Sequence, residues 1–175
     1  MMSAENNGEL LVKVAAVAGD YRIDDQDVRP WGHYIVTGVG RTPKGEEYCE
    51  KQIVIKPWNI LSLQSHALRR EQWTVGKGFL TALVDGERRN AGPEESVHVP
   101  QNSIHCMANL TDEICVVHER QEGICREDDI RRFVDAYGRA TDAASGESAA
   151  SIAAYNAILQ EIKTKTKARM GRVAN

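Results

Sequence analysis

An all-β barrel of jelly-roll type followed by one amphipathic helix is the fold that this sequence predicts, and three observations predict it. Between Arg29 and Gln121, short β-branched or aromatic runs are separated by Gly, Pro, Asn and Asp, at the spacing of about 8 to 12 residues common to sandwiches and barrels. After Glu147, the residues Ile152, Tyr155, Ile158, Leu159 and Ile162 recur every third or fourth position, the period of a helix with a single apolar face. A length of 175 residues, with 42% hydrophobic and 27% charged side chains, suits one packed domain with an appendage.

The elements follow in order. Residues 1–28 read as an acidic tail, with Glu5, Glu9, Asp20, Asp24, Asp25 and Asp27 against Lys13 and Arg22. Its apolar patch at 10–17 can add a strand to a sheet edge. Residues 29–139 read as the barrel, with strands expected over 32–39, 47–55, 60–68, 72–75, 78–84, 96–99, 103–107 and 114–119. This many short strands in one small domain suit two sheets closed face to face. Asp85-Gly86 marks a hairpin, because both residues tolerate the positive φ of a tight turn. The acidic run Glu127-Asp128-Asp129 reads as the cap of a short helix over 128–137. Residues 140–146 are small and polar and form a linker, and 147–171 form the C-terminal helix. Lys163, Lys165, Lys167 and Arg169 suit the helix dipole, and Gly171 supplies a stop. The apolar stripe is expected to dock on the barrel or on a second copy of the chain.

Composition excludes several classes. With 22 basic against 25 acidic residues, net charge −3, the chain lacks the positive field that nucleic-acid binding needs. No apolar run approaches the roughly 18 to 20 residues of a membrane span. Cys49, Cys106, Cys115 and Cys125 show no CxxC spacing, and the start carries no secretory signal, so a cytoplasmic location with cysteines as core residues is expected.

Chemistry concentrates in Leu61-Ser-Leu-Gln-Ser-His-Ala-Leu-Arg-Arg-Glu-Gln-Trp73 and in Pro100-Gln-Asn-Ser-Ile-His-Cys-Met-Ala-Asn109. In a continuous strand Gln64, His66 and Leu68 share one face, and Glu71, Trp73 and Val75 can face the same interior after a turn. His66, Glu71 and His105 then converge. Two neutral imidazoles and a carboxylate suit a divalent first-row metal and leave positions open to substrate oxygens.

These segments resemble the two motifs of the cupin superfamily. Glu71 is followed by six residues and Gly78, while Pro100, His105 and Asn109 fall in register with the second motif. Together with Arg29-Pro-Trp-Gly32, Leu61 to His66, Arg69-x-Glu71-Gln-Trp73, Glu127-Asp-Asp-Ile130 and Asp135-Ala-Tyr-Gly-Arg139, the match is similar to the type II mannose-6-phosphate isomerase domain. That domain also forms the C-terminal half of bifunctional mannose-1-phosphate guanylyltransferases. The resemblance implies a dimeric cupin barrel that holds a divalent metal (Zn, Mn, Fe, Ni or Co) and interconverts mannose 6-phosphate and fructose 6-phosphate for polysaccharide synthesis. The guanylyltransferase half is expected to be absent from a chain of this length.

Two departures stand out. Leu68 replaces the family's second histidine, and Gln72 replaces the histidine after the glutamate. The amide oxygen of Gln64 offers a substitute ligand, as in the Gln-x-His pair of type I isomerases, giving a metal set of Gln64, His66, Glu71 and His105. Asn102 and the pair Trp58-Asn59 stand where the family has turn glycines. The resemblance assigns Lys51, Arg69 and Arg139 to sugar-phosphate binding, with Lys51 and Arg139 as catalytic candidates that polarise the carbonyl. It leaves the proton-transfer group open. Two other readings stand beside the isomerase: a non-catalytic sugar-phosphate-binding module with a degenerate metal site, and a different metal-dependent cupin enzyme.

Overall fold

The computed structural model describes residues 17–139, 141–142 and 146–173. Its elements in chain order are β1 (Val17–Ala18), β2 (Tyr21–Arg22), β3 (Gln26–Arg29), β4 (Gly32–Arg41), β5 (Glu47–Ile55), β6 (Asn59–Ile60), β7 (Leu63–Ser65), β8 (Arg69–Lys77), β9 (Leu80–Val84), β10 (Glu87–Ala91), β11 (Ser96–Val99), β12 (His105–Asn109), β13 (Cys115–Gly123), β14 (Arg131–Val134) and α1 (Ala149–Val173). All the pairings are antiparallel: β1 and β2 form a separate two-stranded sheet, and the other strands form two six-stranded sheets, a larger one of long strands in the order β11-β8-β13-β5-β4-β3 and a smaller one of short strands in the order β10-β9-β12-β7-β14 with β6 beside β12.

Alternation decides what faces inward. In β5, Cys49, Lys51, Ile53 and Ile55 are buried and the residues between them are half-buried. In β8 the buried set is Arg69, Glu71, Trp73 and Val75. Trp31, Ile53, Ile55, Trp73, Val75, Leu80, Met107 and Val117 fill the apolar end of the space between the sheets. The polar side chains of the same strands occupy its other end, so each inner face is divided into a greasy half and a charged half.

The helix α1 docks on the outer face of the smaller sheet, where Tyr155, Ile158 and Ile162 pack with Ile60, Leu63, Leu83, Cys106 and Phe133. Complete burial of a side chain such as Ile158 is worth about 2 to 3 kcal/mol. Arg88 on β10 pairs with Glu161 at 2.5 Å, and Lys165 and Arg169 pair with Asp112. No helix among the described residues is long and apolar enough to cross a membrane.

Several expectations are corrected. The single strand expected over 60–68 is broken: after β7 the chain leaves the sheet, and Ala67 and Leu68 donate their amides to the Asp129 carboxylate at 2.9 and 3.0 Å. Leu68 is therefore 43% exposed and does not share a face with His66. The helix expected over 128–137 is the strand β14, paired with β7. Asp129 spends its carboxylate on another loop instead of capping a helix. The edge strand β10, with four exposed residues out of five, carries too little apolar signal to be read from sequence. The Asp85-Gly86 hairpin is present, with φ of 50° and 86°. Asn102 takes the left-handed conformation with φ 67°, and of the pair Trp58-Asn59 it is Trp58 that does so, with φ 56°. Most of the apolar patch at 10–17 lies outside the described residues; Val17 belongs to the small β1–β2 hairpin, and β3 closes one edge of the larger sheet.

Candidate functional site

The two sheets deliver different chemistry to one site. The smaller sheet contributes His105 at the start of β12, opposite Gln64 of β7 in the ladder, and His66 follows β7 directly. From the larger sheet come Arg69 and Glu71 on β8, Lys51 on β5, and Glu119 and Gln121 on β13. Antiparallel register places Glu119 opposite Lys51 and Gln121 opposite Glu71.

His66, Glu71 and His105 are all buried, and their ligand atoms lie within 4.8 Å of one another. Nε2 of His66 is 3.4 Å from Glu71 Oε1, and Nε2 of His105 is 3.7 Å from Glu71 Oε2. Each imidazole uses Nδ1 on a backbone carbonyl, that of Asp129 for His66 and that of Ser103, at 2.8 Å, for His105. This fixes the tautomer with the proton on Nδ1 and turns both Nε2 lone pairs toward the carboxylate, as metal-binding histidines are held. His105 Nε2 is buried without any hydrogen-bond partner among the described residues. An orphaned buried acceptor beside a carboxylate and a second imidazole fits a cation better than it fits a closed core.

Electrostatics agree with that fit. Burial pushes His66 down to about 4 and also lowers His105, so both rings are neutral at pH 7. For Glu71, burial alone would raise the carboxyl; protonated His66 or His105 would lower it most, and with both rings neutral the Arg69 guanidinium and the Trp73 N–H are what favour the ionised form. Trp73 Nε1 donates to Glu71 Oε2 at 3.0 Å and fixes the plane of the carboxylate.

Gln64 is present but turned. Its Oε1 accepts from Ser62 Oγ at 2.8 Å, and its Nε2 lies 3.3 Å from His66 Nε2. Arg69 is not at a rim. It is 5% exposed, with Nη1 donating to the Arg126 and Asp129 carbonyls at 3.0 and 3.2 Å, Nε 3.4 Å from Glu71 Oε1, and Nη2 3.1 Å from His66 Nε2. The empty ligand position expected at Leu68 is thus outside the site, and the guanidinium stands beside the donors.

Lys51 is buried in an aromatic box, with Nζ 3.8 Å from the Tyr21 ring centre and 4.9 Å from that of Tyr34. Arg139 is held by Asp135, with Nη2 to Oδ1 at 2.7 Å. Gln64, His66, Arg69, Glu71, Lys51, Tyr21, Tyr34 and Arg139 line one cavity of about 100 Å³, together with Arg29, Glu119, Gln121, Glu127 and Arg132, while His105 lies behind its wall. That volume is below the roughly 300 Å³ at which pockets for whole small molecules begin, so a ligand larger than a few atoms would extend through the opening.

Glu119 and Gln121 were not candidates from sequence. Burial, reinforced by the neighbouring Glu71 carboxylate, pushes Glu119 up to about 8. Gln121 donates to Glu119 Oε2 at 2.8 Å, and its own buried Oε1 has no partner among the described residues. The signal was their parity with Val117 along β13: a glutamate and a glutamine on the inward face of a barrel strand.

Comparison with known proteins agrees with this architecture. Residues 18–135 match the family described as mannose-6-phosphate isomerase C-terminal. A mannose-1-phosphate guanylyltransferase of Escherichia coli K12 is 33% identical over 121 residues, 69% of this chain and 24% of the relative, so the chain spans about a quarter of that relative's length. Among solved structures, KdgF from a Halomonas species aligns with TM-score 0.50 and 18% identity over 59% of this chain and 91% of its own. An RmlC-like cupin from Shewanella frigidimarina aligns with TM-score 0.49 and 17% identity over 58% and 84%. With a cupin barrel in the structure and a family match across most of its strands, the chain belongs to the mannose-6-phosphate isomerase C-terminal family.

Proposed function

We propose that the chain is a metal-dependent sugar-phosphate isomerase that interconverts mannose 6-phosphate and fructose 6-phosphate. One observation carries the reading: a three-donor set with an unpartnered His105 Nε2 lies beside a buried carboxyl, Glu119, and a buried ammonium, Lys51. His66, Glu71 and His105 would hold a divalent ion, which when bound would supply Lewis-acid stabilisation of the negative charge that develops on the substrate oxygens.

The remaining chemistry falls to the protein. Isomerisation moves a proton from C2 of the aldose to C1 of the ketose, and the hydroxyl proton from O2 to O1. Glu119, its Oε2 fixed by Gln121 Nε2, takes the C2 proton and returns it to C1. A carboxyl held at about 8 is matched to taking and returning a proton near neutrality. Lys51 donates to the carbonyl oxygen, and the aromatic faces of Tyr21 and Tyr34 keep its ammonium in place without neutralising it. The free Oε1 of Gln121 accepts from a sugar hydroxyl.

The test is a coupled assay for fructose 6-phosphate from mannose 6-phosphate with chelated and metal-reloaded protein. Turnover that disappears on chelation and returns with a divalent ion supports the reading, and no turnover in any metal state overturns it. The non-catalytic binding module is favoured by the contact of Arg69 with His66 Nε2, which occupies a donor that a metal requires.

A further inference from the structure

The cavity is charged unevenly along its length. Lys51, Arg69, Glu71 and Glu119, at its inner end, are each less than a tenth exposed, whereas Arg29, Arg132 and Arg139 line the same cavity and are half-buried. The three arginines therefore stand toward solvent. Two have partners that do not line the cavity: Arg29 pairs with Asp27 at 2.5 Å and Arg139 with Asp135 at 2.7 Å. Those carboxylates hold the guanidinium planes in place. The third is different, because Nε of Arg132 is buried and has no hydrogen-bond partner among the described residues.

We infer that Arg29, Arg132 and Arg139 form the subsite for the phosphate of a phosphate monoester, with Arg132 as its central donor. This rests on the sugar-phosphate reading above and gives the phosphate a place separate from the reacting carbons. An orphaned guanidinium N–H that shares a cavity with two oriented guanidinium groups is a site that lacks its acceptor, and a phosphate offers three acceptor oxygens in the geometry that arginine forks match. Charge agrees. Among the lining side chains, Arg29, Lys51, Arg69, Arg132 and Arg139 face the carboxylates of Glu71, Glu119 and Glu127, an excess of positive charge that suits a dianion. The guanidinium of Arg132 is destabilised first by burial and next by the charge of Arg139; Asp135 opposes this, Arg29 adds a smaller repulsion and Glu127 a smaller attraction. Such like-charge crowding at one opening stores repulsion that a bound anion relieves. Arg69 is engaged by protein acceptors and serves the inner end of the cavity.

The experiment measures inorganic phosphate binding to the chelated full chain by calorimetry, so that a metal cannot provide the contact, together with KM for mannose 6-phosphate in the metal-loaded chain. Arg132→Gln is expected to weaken phosphate binding at least tenfold and to raise KM by a similar factor, with metal content unchanged. Arg29→Gln, at a more open position, is expected to act in the same direction if Arg132→Gln folds poorly. Arg88→Gln removes an equal charge at the helix contact, far from this cavity in the fold, and is expected to leave both quantities unchanged. Phosphate affinity unaltered in both cavity variants, or lowered equally by Arg88→Gln, overturns the inference. If phosphate binding depends on Arg132 but no metal restores turnover, the isomerase reading fails and the phosphate subsite stands.

Discussion

Nη2 of Arg69 stands 3.1 Å from Nε2 of His66, the nitrogen that a metal ion would use. The guanidinium and a divalent cation compete for the same lone pair and repel each other at that distance. Metal loading therefore requires the arginine to retreat toward the Asp129 side, where Nη1 already has its acceptors.

Replacing that arginine is expected to strengthen metal binding. Arg69→Met should raise affinity for Zn²⁺ or Mn²⁺ at least tenfold in calorimetric titration, while Leu68→His should leave it unchanged because position 68 faces solvent. A gain in affinity from Leu68→His would show that the loop after β7 turns inward.

Glu119→Gln is expected to lower kcat for mannose 6-phosphate isomerisation by 10² or more, in the range of lost acid–base catalysis, with metal content retained. The same residue leaves a stability signature. Its folded value of about 8 lies above the ordinary 4.5, so its contribution is fully present below pH 4.5 and is lost as pH rises through 8. Denaturation midpoints of the variant should decline less than those of the parent over that interval.

The buried histidines act with the opposite sign. Their values are lowered by burial, His66 to about 4 from 6.5, so the unfolded chain takes up protons first as pH falls below 6.5. Metal-free protein is expected to lose stability between pH 6.5 and 4, by on the order of 3 kcal/mol from His66 alone. Urea denaturation at pH 7, 6 and 5, compared with His66→Asn, measures it.

Asn109 ties three segments together. Its Nδ2 donates to the Ile55 and Glu113 carbonyls at 3.1 and 2.7 Å, and its Oδ1 accepts from the Thr111 amide and hydroxyl at 3.0 and 2.7 Å. Asn109→Leu leaves these groups unsatisfied and is expected to destabilise the fold by about 2 to 4 kcal/mol, read as a lower chemical-denaturation midpoint.

Much of this was legible in the sequence because β-branched alternation survives in the strands that bury one face. β5 spans the predicted 47–55, and β11 the predicted 96–99. His66, Glu71 and His105 come together as the motif spacing led one to expect, although His66 lies just past the end of β7 and owes its place to the loop, not to strand parity. What failed did so for local reasons. Glu127-Asp128-Asp129 looks like a helix cap, and only the tertiary position of the 67–68 loop reveals whose amides Asp129 holds. The parity that assigned Leu68 inward assumed an unbroken strand, yet the exit after Ser65 lets Arg69 take the interior place. Arg132 gave no sign at all, since what singles it out is a buried Nε without a partner among the described residues.

The four cysteines are buried and free, and they are distributed among the apolar clusters: Cys115 between the sheets, Cys106 under α1, Cys49 and Cys125 beside Tyr21. Two of these compartments thus carry one shielded thiol each, and the Tyr21 corner carries two. Alkylation kinetics read thiol by thiol would report whether the helix lifts, the Tyr21 corner frays, or the sandwich opens, without introducing a further cysteine into the chain.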